Sequence, residues 1–279
     1  MAIAPLSIGV CSWSLQVKSI PELKGFTDRL GIDLVQIACG DPHHAAWDEG
    51  DAMPKAALAA GFTVGGAMLG FPGEDYTTPK TIEQSGGFGD PALRPERIER
   101  FKWALKRTSE LGVVDLMLHA GFIPEVGDPA RKPFLDTLAQ VSTLAAEKGI
   151  TVSFETGQES SSLLRRTLDD LKCPNLKVNF DPANMILYDK DDPLKVLELL
   201  GPDIRTVHVK DANRTTVKGT WGEEVPLGQG QVNIKAFIQG LKKVGYRGPL
   251  YIEREVGDQQ QRFDDIAAGV RFVRDCLNA

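Results

Sequence analysis

The sequence predicts an α/β fold, a single closed (β/α)8 barrel. Strand-length apolar runs alternate eight times with helix-length amphipathic segments along the 279 residues. Apolar runs separated by helices indicate parallel strands that are covered on both faces. Eight repeats in a chain of this length fit a closed barrel better than an open doubly wound sheet, which the pattern alone leaves open. No linker or break in composition interrupts the pattern, so we expect one domain over residues 1–279.

The first half of the chain supplies four strand–helix pairs. Strands are predicted at residues 7–13, 33–39, 62–71 and 113–121. Helices are predicted at residues 19–31, 50–61, 95–112 and 128–149. The helix at 95–112 has the clearest signals, because Pro95 stands at its start, apolar residues follow at helical spacing and Gly112 stands at its end.

The second half supplies four more pairs and completes the predicted barrel. Strands are predicted at residues 150–157, 176–184, 204–211 and 248–255. Helices are predicted at residues 159–171 and 193–200, at 234–244, and in a final segment that runs through about residue 276. Two irregular connections, 71–94 and 211–232, are longer than a bare barrel needs, which is typical of lids and binding loops. Both follow strands, so we expect them on the carboxyl-terminal face, where barrel enzymes hold their sites.

Composition restricts the class of protein and of partner. The net charge is −6 and no stretch is rich in Lys and Arg, which argues against a nucleic-acid partner. No run of about 18 apolar residues is present, so we expect no membrane span, and the amino terminus lacks the basic region of a signal peptide. Four scattered cysteines without a CxxC pair indicate reduced thiols. We therefore expect a cytoplasmic protein with a small-molecule partner.

Ionisable side chains stand at the ends of four successive predicted strands. Strands five to eight end in Glu155, Asp181, His208 and Glu253. Any one of them alone fits a helix cap, an ion pair or a core histidine. Together on one rim, the three carboxylates would repel one another strongly without a compensating cation. Oxygen ligands with one imidazole suit manganese, magnesium, cobalt or zinc, so the sequence predicts a divalent metal site.

The chain resembles the sugar phosphate isomerase/epimerase superfamily, which has the xylose-isomerase-like barrel. Five segments in the same order carry the resemblance: "GVCSWSL", "FETG", "NFDPANM", "HVKDANR" and "PLGQGQVNIKAFIQGLKKVGYRGPLYIERE". Their order is specific for the superfamily and much less so for one substrate. The resemblance implies that one divalent metal is bound by Glu155, Asp181, His208 and Glu253. It favours Mn²⁺, with Mg²⁺, Co²⁺ or Zn²⁺ as alternatives.

Within the superfamily, the ketose 3-epimerases are the nearest model by motif. Their metal-binding histidine is followed six residues later by an arginine that contacts substrate hydroxyl groups, which implies that role for Arg214. The chain departs from them in having Asn184 where they have a histidine contact, and Trp13 near the end of a first strand that often ends in histidine. We therefore expect a substrate other than a free ketohexose.

Further residues near the predicted rim are candidates for substrate contacts. His119 ends the fourth strand and is either a substrate contact or a structural histidine. His43 and His44 follow the second strand, where a solvated loop is the favoured interpretation. Aromatic side chains near the rim loops would stack on a sugar or pack as core: Trp13, Phe71, Phe122 and Trp221. The predicted substrate contacts are Trp13, His119, Asn184 and Arg214.

The resemblance implies a metal-dependent isomerase or epimerase that acts on a ketose or keto-sugar, and a possible homo-oligomer. The metal would hold the carbonyl oxygen and a neighbouring hydroxyl group, while Glu155 and Glu253 move a proton beside the carbonyl through an enediolate. A lyase of the same fold, of the inosose or dehydroshikimate dehydratase type, is the main alternative, because it begins with the same proton abstraction. A sugar-binding barrel and an apurinic-site endonuclease, which needs a histidine-rich cluster of three metals, fit less well.

Overall fold

Eight parallel strands form a closed barrel in a computed structural model that describes residues 3–40 and 52–279. The described residues form these eight strands and two more, β8 and β9, which lie outside the barrel. In chain order they are β1 (Ile8–Cys11), β2 (Leu34–Gly40), β3 (Thr63–Leu69), β4 (Asp115–Leu118), β5 (Thr151–Glu155), β6 (Leu176–Phe180), β7 (Ile204–Val209), β8 (Asp211–Asn213), β9 (Glu223–Val225) and β10 (Leu250–Ile252). The barrel order is β1–β10–β7–β6–β5–β4–β3–β2, and β1 pairs with β2 to close it. The predicted (β/α)8 barrel is therefore confirmed.

The helices surround the barrel, and most of them begin within two or three residues of their predicted positions. They are α1 (Ile20–Leu30), α2 (Ala52–Ala59), α3 (Pro79–Ser85), α4 (Arg94–Glu110), α5 (Arg131–Ala146), α6 (Ser161–Leu171), α7 (Pro182–Leu187), α8 (Pro193–Leu200), α9 (Ile234–Lys243) and α10 (Gln259–Asn278). Across the described residues, no helix combines the length and apolar character needed to cross a membrane. His43 and His44 lie outside the described residues.

Two short helices stand where the sequence pattern predicted none. Helix α3 lies inside the connection 71–94, because Thr78 and Thr81 form a reciprocal capping box and Pro79 takes the first helical position. Helix α7 begins inside the predicted strand 176–184. Its start is fixed by the carboxylate of Asp181, which accepts backbone hydrogen bonds two and three residues ahead.

The core fills the barrel and the layer between strands and helices. Phe180 of β6 is fully buried and stacks on Phe237 of α9, with ring centroids 5.5 Å apart. Inside the barrel the buried ring of Tyr251 lies against β3, where a Cβ at Gly65 would lie 2.3 Å from the tyrosine hydroxyl oxygen. A side chain at that position would displace Tyr251, and so glycine is required there for packing.

The connection 211–232 is anchored by one buried carboxylate. Asp211 accepts backbone hydrogen bonds from Ala212, Gly228, Gly230 and Val232 at 2.9–3.1 Å. Strands β8 and β9 pair in an antiparallel hairpin within this connection. The anchored segment lies over the carboxyl-terminal face of the barrel, as predicted, and it meets the connection 71–94 there.

Candidate functional site

The carboxyl ends of β5, β6, β7 and β10 bring four ionisable side chains into one buried cluster. Glu155, Asp181, His208 and Glu253 each present one ligand atom, and these atoms all lie within 4.8 Å of one another. None of the four residues is more than 5% exposed. They come together because parallel barrel strands all end at one face. We call them the strand-end cluster.

Glu155 lies between two histidines. Its Oε2 is 2.7 Å from Nε2 of His119, and its Oε1 is 2.6 Å from Nδ1 of His208. Burial raises the pKa of Glu155, but the adjacent His119 and His208 outweigh burial and lower that pKa to about 2. Burial lowers the pKa of His119, yet the Glu155 carboxylate raises it to about 9. Glu155 is therefore a carboxylate at neutral pH.

His208 is oriented by Gln36, a residue that the sequence analysis did not single out. The Nε2 of His208 is 2.7 Å from Oε1 of Gln36. With its Nε2 at this oxygen, the ring presents Nδ1 to the carboxylates of the cluster, 2.6 Å from Glu155 and 3.3 Å from Glu253. The one signal in the sequence was a polar residue inside the apolar run "DLVQIAC". Nothing in that run indicated which residue Gln36 contacts.

Asp181 divides its two oxygens between a helix and the cluster. Its Oδ1 accepts hydrogen bonds from the backbone of Ala183 and Asn184 at 2.8 and 2.9 Å, which caps α7. Its Oδ2 is buried without a hydrogen-bond partner among the described residues and lies 3.8 Å from Nδ1 of His208. Burial raises the pKa of Asp181 to about 6.

The strand-end cluster fits a divalent cation. Asp181 Oδ2 is buried and has no hydrogen-bond partner within the described part of the chain. Three carboxylates and one imidazole form a donor set that suits manganese, magnesium, cobalt or zinc. Cys11 could form a second group with His208 and Glu253, but burial raises the pKa of its thiol to about 12. Thiolate ligands suit softer ions, whereas carboxylates suit Mn²⁺ and Mg²⁺, which favours the oxygen-rich set for those two ions.

Glu253 is held by Trp13 and Lys210. Its Oε1 accepts a hydrogen bond from Nε1 of Trp13 at 2.7 Å, and its Oε2 accepts one from Nζ of Lys210 at 3.0 Å. Lys210 is 2% exposed and also donates to Glu255 at 2.5 Å and to Oδ1 of Asn184 at 3.4 Å. These carboxylates raise the pKa of Lys210 against the effect of burial, so its ammonium balances part of the negative charge.

A cavity of about 770 Å³ opens above the cluster on the carboxyl-terminal face. Its lining includes Glu155 and Glu253 and three of the predicted substrate contacts, Trp13, His119 and Asn184. Arg214 is not part of the lining. Its guanidinium bonds to the carboxylate of Asp189 and, at 2.9 Å, to the backbone oxygen of Asp191. A role for Arg214 in substrate binding stays a prediction.

Glu159, beside the site, is a buried carboxylate that should make stability depend on pH. The residue is 8% exposed, and burial raises its pKa to about 8. The folded state therefore holds a proton that the unfolded state has lost between the ordinary carboxyl pKa and about 8, and stability falls as the pH rises through that window. We expect Glu159→Gln to increase the free energy of unfolding more at pH 8.5 than at pH 5, by about 1 kcal/mol or more. Urea denaturation at both pH values measures this.

The matched control for Glu159 is Glu125→Gln, because Glu125 is exposed on a loop. The free energy of unfolding of that variant should follow the wild type at both pH values. An equal effect of Glu159→Gln at pH 5 and pH 8.5 would show that Glu159 does not titrate in this window.

The chain matches known proteins over most of its length. The family model described as xylose isomerase-like TIM barrel matches residues 26–276. A xylose isomerase domain protein from Planctomyces limnophilus is 31% identical, with a TM-score of 0.84 over 98% of this chain and 96% of that one. The resemblance inferred from the five sequence segments is thereby confirmed.

Two further relatives carry names of activities. An L-ribulose-5-phosphate 3-epimerase of Escherichia coli is 27% identical over 199 residues, which are 69% of this chain. The match spans 66% of that relative's length. A D-allulose 3-epimerase from Methylomonas sp. is 18% identical, with a TM-score of 0.70 over 98% of each chain, and shows the same fold.

Proposed function

The chain belongs to the xylose isomerase-like TIM barrel family, and on that premise we propose that it is a divalent-metal-dependent epimerase or isomerase of a ketose or keto-sugar. The observation that carries the proposal is the strand-end cluster. Two of its four donor residues, Glu155 and Glu253, line a cavity, and the buried Oδ2 of Asp181 has no hydrogen-bond partner among the described residues. The names of the ketose 3-epimerase relatives support the same reaction class.

The metal would be held by Glu155, Asp181, His208 and Glu253. A bound divalent cation polarises a carbonyl group and lowers the pKa of the adjacent C–H bond. Gln36 fixes the ring of His208, and the backbone of α7 fixes Asp181 through its Oδ1. Mn²⁺ remains the favoured ion.

Proton transfer is assigned to Glu155 and Glu253, which both line the cavity. Glu155, which is ionised at neutral pH, takes a proton from the carbon beside the substrate carbonyl. Glu253 stands at the end of β10, three positions from β5 in the barrel order. It passes to the opposite face of the resulting enediolate a proton that comes from the Lys210 ammonium bonded to its Oε2, while Glu155 keeps the proton taken from carbon until it is lost to solvent. Lys210 and Trp13 hold one oxygen each of Glu253 and so fix its orientation.

The proposal includes predictions of cellular location, oligomeric state and type of partner. Location in the cytoplasm and a homo-oligomer stay predictions, as does a small-molecule sugar partner.

Deuterium uptake tests the proposal. Purified protein with Mn²⁺ is incubated in D₂O with a panel of ketoses, inososes and keto-glycosides, and products are followed by NMR. We expect deuterium at a carbon beside the carbonyl and the signals of an epimer or isomer. A dehydrated product in their place would assign the chain to the lyase alternative. Tight metal binding without exchange on any substrate would contradict an enzyme of either kind and favour a sugar-binding barrel.

A further inference from the structure

The cavity has two chemically different parts. Its floor, at the strand ends, carries Glu155 and Glu253 of the strand-end cluster and Lys210. The apolar side chains of its lining that lie outside the barrel strands, here called the upper wall, are Tyr76, Leu187, Tyr188, Trp221 and Val256. A volume of about 770 Å³ lies in the range of about 300–1,000 Å³ that holds drug-sized ligands, and it exceeds what one sugar ring fills. The space above the floor is therefore available to a second group of the substrate.

The aromatic wall is built by contacts between the two long connections. Trp221 of the connection 211–232 donates from Nε1 to the backbone oxygen of Tyr76 at 3.1 Å. The ring of Tyr188 meets the ring of Trp221 edge to face, with centroids 4.6 Å apart. These contacts hold the Trp221 ring at the cavity wall. A rigid indole of this kind is a favourable surface for a flat apolar group.

The charged side chains that line the cavity disfavour an anionic substrate group above its floor. The described lining holds five carboxylates, Glu74, Glu155, Glu224, Glu253 and Glu255. Its positively charged side chains are Lys210, Arg262 and His119, whose pKa is raised to about 9 by the Glu155 carboxylate against the effect of burial. Lys210 is bonded to Glu253 and Glu255, and Arg262 donates to the backbone oxygens of Glu255 and Gly257. A phosphate ester would meet more negative than positive charge among these residues.

We propose that the reacting keto-sugar is a glycoside, whose uncharged aromatic or apolar aglycone lies against Trp221 and Tyr188. This substrate class deepens the proposed function and rests on it. The sugar ring occupies the polar floor beside Glu155 and Glu253, and the aglycone occupies the apolar upper walls. Trp221 is then a specificity-determining residue.

Calorimetric titration with unreactive glycosides tests the aglycone site without any turnover. The full chain with Mn²⁺ is titrated with phenyl β-D-glucoside and with methyl β-D-glucoside. We expect the phenyl glycoside to bind at least about tenfold more tightly, because its ring buries apolar area on the aromatic wall. We also expect glucose 6-phosphate to bind no more tightly than glucose. Equal affinities of the two glycosides, no measurable binding of the phenyl glycoside, or preferential binding of the phosphate would each overturn the proposal.

Three variants locate the effect at the indole. Trp221→Ala should remove most of the preference for the phenyl glycoside. Trp221→Phe keeps a ring but loses the bond to Tyr76, and it should retain most of the preference, which separates stacking from anchoring of the loop. Val217→Ala is the matched control, because Val217 is 60% exposed on the same connection and outside the cavity lining. A preference that survives Trp221→Ala would overturn the assignment of this residue.

Failure of this inference is distinguishable from failure of the proposed function. Deuterium uptake into an unsubstituted ketose, together with equal binding of both glycosides, would keep the function and overturn the aglycone site. Preferential binding of the phenyl glycoside without exchange on any keto-sugar would support the aglycone site and contradict the function.

Discussion

Replacing either Glu155 or Glu253 with glutamine is expected to lower the rate of deuterium uptake about 10²- to 10⁴-fold. Both carboxylates line the cavity and belong to the strand-end cluster. Glutamine has nearly the same shape but cannot accept the proton, and its amide oxygen is a weaker ligand for a hard cation. The rate is measured by NMR in D₂O at saturating Mn²⁺ and saturating substrate.

Two controls separate loss of proton transfer from other losses. A Mn²⁺ titration of each variant shows whether the metal is still bound under the assay conditions. Glu223→Gln is the matched control, because Glu223 is exposed on β9 and does not line the cavity. Its rate should stay near that of the wild type. Wild-type exchange rates in both Glu155→Gln and Glu253→Gln would refute the assignment of these residues as acid and base.

The second large effect is the loss of stabilisation by Mn²⁺ in Asp181→Asn. For the wild type, free Mn²⁺ at about 100 times its Kd should raise the free energy of unfolding by about 2.7 kcal/mol. Asparagine can still cap α7, since its side-chain oxygen can accept the bonds from Ala183 and Asn184. It removes the charge of the buried Oδ2. We therefore expect most of the stabilisation by Mn²⁺ to disappear.

Without metal, the Asp181→Asn variant should be as stable as the metal-free wild type at pH 7, or more stable. Burial raises the pKa of Asp181 to about 6, so the charged carboxylate destabilises the folded state above that pH. Urea denaturation with and without Mn²⁺ gives both quantities. Asp192→Asn is the matched control, because Asp192 caps α8 away from the cluster through a bond from Leu194 at 3.1 Å. Equal stabilisation by Mn²⁺ in Asp181→Asn and wild type would exclude Asp181 as a ligand.

The sequence determined the barrel and the membership of the strand-end cluster. Eight apolar runs separated by amphipathic segments are compatible with few arrangements, and parallel closure puts all strand ends at one face. Ionisable residues at the ends of strands five to eight must then lie close together. The strand pattern and the family resemblance therefore both predict the proximity of Glu155, Asp181, His208 and Glu253. The positions of the two long connections followed from the same reasoning.

Only the tertiary structure decided how these side chains are held and what surrounds them. Gln36 orients His208 from 172 positions away in the chain, and Trp221 bonds to the backbone of Tyr76 across 145 positions. Lys210 had no assigned role in the sequence, yet it links Glu253 to Glu255. Such contacts depend on side-chain rotamers and on loops that meet across the barrel, and neither leaves a periodic signal in the chain. The periodic pattern of apolar residues determines the barrel, whereas contacts between residues far apart in the chain determine the chemistry of the site.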